Sequence, residues 1–125
     1  MSLKAEKLVA FAATASPAKA RRFYRDTLGL KLVDDGPFAL VFDAKGTMLR
    51  VQVVETVTPP RYTVLGWRVR DIAATIARLK KARVKFNRYP GMGQDKLGIW
   101  TSPSGARIAW FKDPDGNTLS LTQFT

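Results

Sequence analysis

With 125 residues, 46% of them hydrophobic, and no run approaching the roughly 18 apolar residues of a membrane helix, the chain reads as a single domain expected in the cytoplasm. Cys and His are both absent, which removes disulfides, Ser-His-Asp and Cys-His nucleophiles and the usual zinc or non-haem iron sites. Lys and Arg outnumber Asp and Glu by 21 to 10, a net charge of +11 that favours anionic partners, while the basic residues are dispersed and match no nucleic-acid-binding pattern.

Lys7 to Thr14 is apolar and partly β-branched and predicts a strand. Ser16 then suits an N-cap and Pro17 the first helical position, where a missing N–H costs nothing. Ala20, Phe23, Tyr24 and Thr27 share one helical face, Lys19, Arg22 and Asp26 the other, and Gly29 can end the helix in the left-handed region. Strands are predicted over Leu30 to Asp34, Phe38 to Asp43 and Met48 to Glu55, separated by Asp35-Gly36-Pro37 and Ala44-Lys45-Gly46 turns.

Residues 56–61, polar and Pro-rich, predict a linker. After it come a strand at Tyr62 to Arg70 and a helix capped by Asp71, with Ile72, Ile76 and Leu79 on one face. Strands near Val84 to Arg88, Gly98 to Thr101, Arg107 to Lys112 and Thr118 to Gln123 complete the order. The N-caps Ser16 and Asp71 recur at nearly the same offset as Leu30-Lys31-Leu32 and Val84-Lys85-Phe86, so the second half repeats the first. In this repeat Arg83 falls where Gly29 ended the first helix, which predicts a less regular helix end or a strained left-handed Arg83. Asp113-Pro114-Asp115-Gly116 carries the residues of a type I turn and predicts a hairpin between the last two strands.

That hairpin, Phe111 to Leu121, together with Phe23-Tyr24-Arg25-Asp26-Thr27-Leu28-Gly29-Leu30, resembles the vicinal oxygen chelate superfamily of glyoxalases, extradiol dioxygenases and bleomycin resistance proteins. The resemblance covers nearly the whole chain. It implies an α+β fold of two tandem βαβββ modules, about 5–56 and 62–125, whose curved sheets surround a shared cleft within one domain spanning 1–125.

Metal-dependent members hold a divalent ion with four side chains, typically His, Glu, His and Glu, from the first and last strands of each module. Those positions fall here on Val9, Gln52, Val64 and Ser120, with Glu55 a secondary choice for Gln52. Val has no lone pair and Gln and Ser are weak neutral ligands, so neither a metal nor another cofactor is expected. Strand alternation points Leu49, Val51, Val53, Leu65, Trp67, Val69, Leu119 and Leu121 toward the helices. It leaves Val9, Phe11, Val54 and Val64 as apolar walls of the cleft and Arg50, Gln52, Arg68 and Ser120 as its polar groups.

Trp67, Trp100 and Trp110 read as core or dimer-interface residues, and Gly91 to Asp95 as a mobile lid or hairpin rather than a phosphate-binding loop. The resulting expectation is a metal-free, homodimeric binder of a small anionic or aromatic molecule, of the sequestering or resistance type, with neither membrane nor nucleic acid as partner. Two alternatives remain: a metal-dependent glyoxalase- or dioxygenase-type enzyme, and a degenerate fold serving as an interaction module. Glu55 and Tyr62 are the groups available for cofactor-free proton transfer.

Overall fold

Residues 2–125 are described by a computed structural model, in which they divide into two compact units, one running to Thr58 and the other from Pro59 to Thr125. The division falls inside the Pro-rich segment, where two consecutive prolines remove backbone donors and stop any strand from continuing. Each unit has the order strand, helix, three strands.

In the first unit β1 (Val9–Thr14) is followed by α1 (Pro17–Arg21), then β2 (Lys31–Asp35), β3 (Ala39–Ala44) and β4 (Thr47–Val53). The sheet order is β1-β4-β3-β2. β1 lies parallel to β4, a pairing that needs a long crossover, here supplied by the helix and the β2–β3 hairpin. One sheet face is buried and apolar apart from Thr14: Ala12, Leu40, Phe42, Leu49 and Val51 are all buried beside it, with Ala20 and Tyr24 from the helical segment. The Tyr24 ring lies 5.7 Å from that of Phe42. Arg21 also forks onto the β2 residue Asp35 through bonds of 2.8 and 3.0 Å, a partly exposed pair of modest worth.

In the second unit β5 (Thr63–Arg68) precedes α2 (Ile72–Lys81), followed by β6 (Trp100–Thr101), β7 (Arg107–Lys112) and β8 (Thr118–Gln123) in the sheet order β5-β8-β7-β6. Asp71 caps α2, its Oδ1 accepting the Ala74 N–H at 3.0 Å, and Ile72, Ile76 and Leu79 bury the stripe that packs on β7 and β8. This repeats the first unit and gives the α+β fold of two βαβββ modules.

Local chemistry departs from the sequence-based expectation in three places. Ser16 makes no side-chain cap; instead the Thr14 hydroxyl accepts the Ser16 N–H at 3.0 Å and the Ser16 carbonyl alone opens α1. The helix then widens into a π-helical segment, Arg22–Thr27, with Leu28 N–H bonded five residues back to the Phe23 carbonyl at 2.9 Å. Finally, the strand expected over Val84 to Arg88 is reduced to a single bridge between Phe86 and Phe111. The Gln94 side chain takes backbone groups there: it accepts from Tyr89 N–H at 2.6 Å and donates to the Asn87 and Gly98 carbonyls at 2.9 Å. Asp95 Oδ1 accepts from the Leu97 and Ile99 N–H groups, so the segment between Asn87 and Ile99 is tied down by its own side chains.

Both helices end in the left-handed region, Gly29 at φ 78° and Arg83 at φ 70°. Glycine adopts this at little cost, whereas a residue with a Cβ gives up about 1–2 kcal/mol. Arg83→Gly is therefore expected to stabilise the protein by about 0.5–1 kcal/mol. A Cβ at Gly29 meets nothing within 4 Å, so Gly29→Ala should destabilise through backbone strain alone, by about 1 kcal/mol. Urea midpoints of the two variants, moving in opposite directions, check both.

Candidate functional site

The sheet face turned away from the helix in the first unit is built in rows, because strand register fixes which side chains stand beside one another. β1–β4–β3 pairing gives Val9, Met48 and Asp43 in one row, Phe11, Arg50 and Val41 in the next, and Ala13, Gln52 and Ala39 in the third. Val9, Phe11 and Met48 are 38%, 50% and 43% exposed, an apolar surface left open on one side of a sheet whose other side is closed. Arg50 stands in its middle with Nη1 4.0 Å from Met48 Sδ, and it forms no ion pair among the described residues.

Of the positions expected on the first module, Val9, Phe11, Arg50 and Gln52 do share this face. Val54 lies just past the end of β4, tied to the Thr14 carbonyl through its N–H at 2.9 Å. Register does not bring Val9 and Gln52 together: Met48 stands beside Val9, and Gln52 stands beside Ala13, about 13 Å further along the strand. Met48 carries no local signal of a site residue, since its neighbour across the sheet is a non-local fact.

In the second unit the open-face rows are Thr63, Thr118 and Lys112; then Gly66, Ser120 and Trp110; then Arg68, Thr122, Ile108 and Trp100. Ser120 faces Gly66 so closely that a Cβ there would lie 2.7 Å from its Oγ. Val64 falls at the bulge between Thr63 and Leu65, outside the regular rows. The Arg68 guanidinium carbon sits 5.4 Å from the centre of the Phe124 ring, a cation–π contact that leaves its donors exposed.

The tryptophans depart from a core role. Trp100 and Trp110 are half-buried on the open face, their rings 6.2 Å apart, with Tyr89 edge-on to Trp110 at 5.7 Å. Trp67 is on the helix side and is also only half-buried. Glu55 and Tyr62 are exposed residues outside the strands.

The sequence matches the profile of the Glyoxalase/Bleomycin resistance protein/Dioxygenase superfamily over residues 8–121. Among solved structures, a member of that superfamily from Sphaerobacter thermophilus shares 26% identity at a TM-score of 0.70, covering 93% of this chain and 96% of its own. A glyoxalase/bleomycin resistance protein/dioxygenase from Alicyclobacillus acidocaldarius shares 18% identity at TM-score 0.71 over 95% and 91% of the two chains. A lactoylglutathione lyase from Agrobacterium tumefaciens shares 16% at TM-score 0.72 over 94% and 93%, a likeness of fold. No curated protein sequence matches the chain.

The divalent metal that such a fold can carry does not fit the residues present. Beside Val9 stands a thioether, beside Ser120 a glycine, and no group of three or more His, Cys, Asp or Glu side chains gathers among the described residues. Neutral amide and hydroxyl oxygens without a carboxylate or imidazole give a divalent transition metal too little charge and too few donors. Added Zn²⁺, Ni²⁺ or Mn²⁺ should therefore leave the melting temperature unchanged, since a ligand stabilises a fold only in proportion to ln(1 + [L]/Kd). A saturable upward shift, abolished by Gln52→Ala, would overturn this.

Proposed function

We propose, on the premise that the chain belongs to the Glyoxalase/Bleomycin resistance protein/Dioxygenase superfamily, that it is a metal-independent binder of a small anionic molecule with an apolar or aromatic body. One observation carries this reading: Arg50 stands between exposed Phe11 and buried Val41 on a sheet face where Val9, Phe11 and Met48 leave apolar surface open, with no carboxylate paired to it among the described residues. The apolar surface supplies an affinity that does not discriminate between ligands. The guanidinium supplies the choice of charge, through hydrogen bonds that are strongest to carboxylate or phosphate.

On the second unit Arg68 stands in a row with Thr122 and Ile108 and offers the same chemistry. The proposed role is sequestration rather than turnover, since Glu55 and Tyr62, the groups available for cofactor-free proton transfer, are exposed and lie outside the strands. The net charge of +11 agrees with an anionic ligand and disagrees with a cationic one.

The test uses 2-naphthoate as probe, followed by calorimetry. Loss of one member of a desolvated charge pair typically costs about 2–5 kcal/mol of binding, against far less for a rim charge. Arg50→Ala should weaken the naphthoate complex by well over tenfold, with the unliganded melting temperature preserved. Normal binding by Arg50→Ala would overturn the anionic assignment and direct the search to neutral ligands.

A further inference from the structure

A cavity of about 590 Å³ lies within the second unit and shares only Thr118 and Lys112 with that unit's open face. Three separate segments line it: Pro59, Pro60 and Arg61; Asn87, Arg88 and Tyr89; and Lys112, Gly116 and Thr118. Its charged side chains are all cationic, Arg61, Arg88 and Lys112, and none forms an ion pair among the described residues. Like charges around one depression repel, so the arrangement is relieved by an anion between them.

The cavity is also held in shape before any ligand arrives. Arg88 Nη1 donates to the Asp95 carbonyl at 2.6 Å, and Tyr89 N–H to Gln94 Oε1 at the same distance, which fixes the middle segment. Two consecutive prolines stiffen the first segment, and a Cβ at Gly116 would stand 3.1 Å from Pro59 Cγ, so the third segment fits closely against it. Tyr89, braced edge-on against Trp110 and bonded through its hydroxyl oxygen to Asn87 Nδ2 at 2.9 Å, is 39% exposed and presents an aromatic surface beside the cations.

We propose that this cavity binds a small phosphate monoester carrying an aromatic ring, the phosphate among Arg61, Arg88 and Lys112 and the ring against Tyr89 and the prolines. The charge count selects phosphate over carboxylate, because a phosphate monoester brings about −1.5 to −2 near neutral pH and three acceptor oxygens to three cationic donors. Volume selects a small molecule, since 590 Å³ lies within the range of about 300–1,000 Å³ typical of such sites. A nucleic acid would track cations along a groove, whereas these three surround one depression.

The site is independent of Arg50 and Arg68, and its test separates the two. Phenyl phosphate is titrated into the full chain by calorimetry, beside inorganic phosphate, phenol and a single-stranded oligonucleotide. Saturable binding of phenyl phosphate, stronger than that of inorganic phosphate or phenol, is expected. In an Arg50→Ala background, which removes the anion-binding group of the first unit's face, Arg61→Ala and Lys112→Ala, both at exposed positions, should each weaken it at least tenfold; Lys112→Arg should restore most of the loss. Absence of binding, indifference to both alanine variants, loss on Arg50→Ala alone, or preference for the oligonucleotide would each overturn the assignment. Neither result bears on naphthoate binding at Arg50, so the two readings fail separately.

Discussion

The buried carboxylate of Asp113 sets the geometry of the second unit. Only 5% exposed, it accepts the N–H groups of Asp115 and Asn117 at 2.9 Å with one oxygen and the Asn117 side-chain amide at 2.8 Å with the other. The Asp113 N–H and carbonyl close the same turn, bonding the Asn117 carbonyl and the Gly116 N–H at 3.0 Å each. A carboxylate so satisfied can stay buried, and it holds β7 and β8 in one register. That register matters because a slip of one residue would exchange Leu119 and Leu121, now in the core, with Ser120, which now faces Gly66. The equivalent turn of the first unit is lighter: Asp43 Oδ1 accepts only the Gly46 N–H at 2.9 Å, and Lys45 and Gly46 both take positive φ, as a two-residue hairpin loop requires.

Much of this fold is legible in local sequence. The alternation along β4 and β8, the Asp71 cap, the Gly29 terminus and the Asp113 turn are each decided by a few neighbouring residues, and all stand in the structure. What escaped local reading was decided by competition at longer range. The strand expected at Val84 to Arg88 has suitable residues, yet Gln94 and Asp95 claim the backbone groups nearby and leave one bridge to Phe111. Ser16 has the right chemistry for a cap, yet its side chain makes none, and its own N–H is held by the buried Thr14 hydroxyl.

Site residues divide along the same line. Which face a side chain takes follows from period two, so the shared face of Val9, Phe11, Arg50 and Gln52 is readable from each strand alone. Which residues are neighbours across strands depends on register, and that places Met48 rather than Gln52 beside Val9. The cationic cavity is further removed from local pattern: Arg61, Arg88 and Lys112 are far apart in the chain, belong to no motif, and meet only because the 59–61 segment, the Gln94-bound loop and the Asp113 hairpin converge.

Without His or Cys, the chain's binding chemistry must come from charge and apolar surface, and magnitudes decide how these divide the work. Covering about 100 Å² of exposed apolar surface, such as Val9, Phe11 and Met48 offer, contributes about 2.5 kcal/mol, or nearly two orders of magnitude in affinity. That gain is offset by the cost of immobilising the ligand, so the apolar face alone would hold small molecules weakly and indiscriminately. A guanidinium pair adds a comparable amount, but only for an anion and only where water is displaced. In the reading proposed here, the apolar rows therefore determine that a ligand binds at all, and Arg50 determines which charge it carries. An arginine placed on a wholly polar face would be screened by water and ions and would select very little.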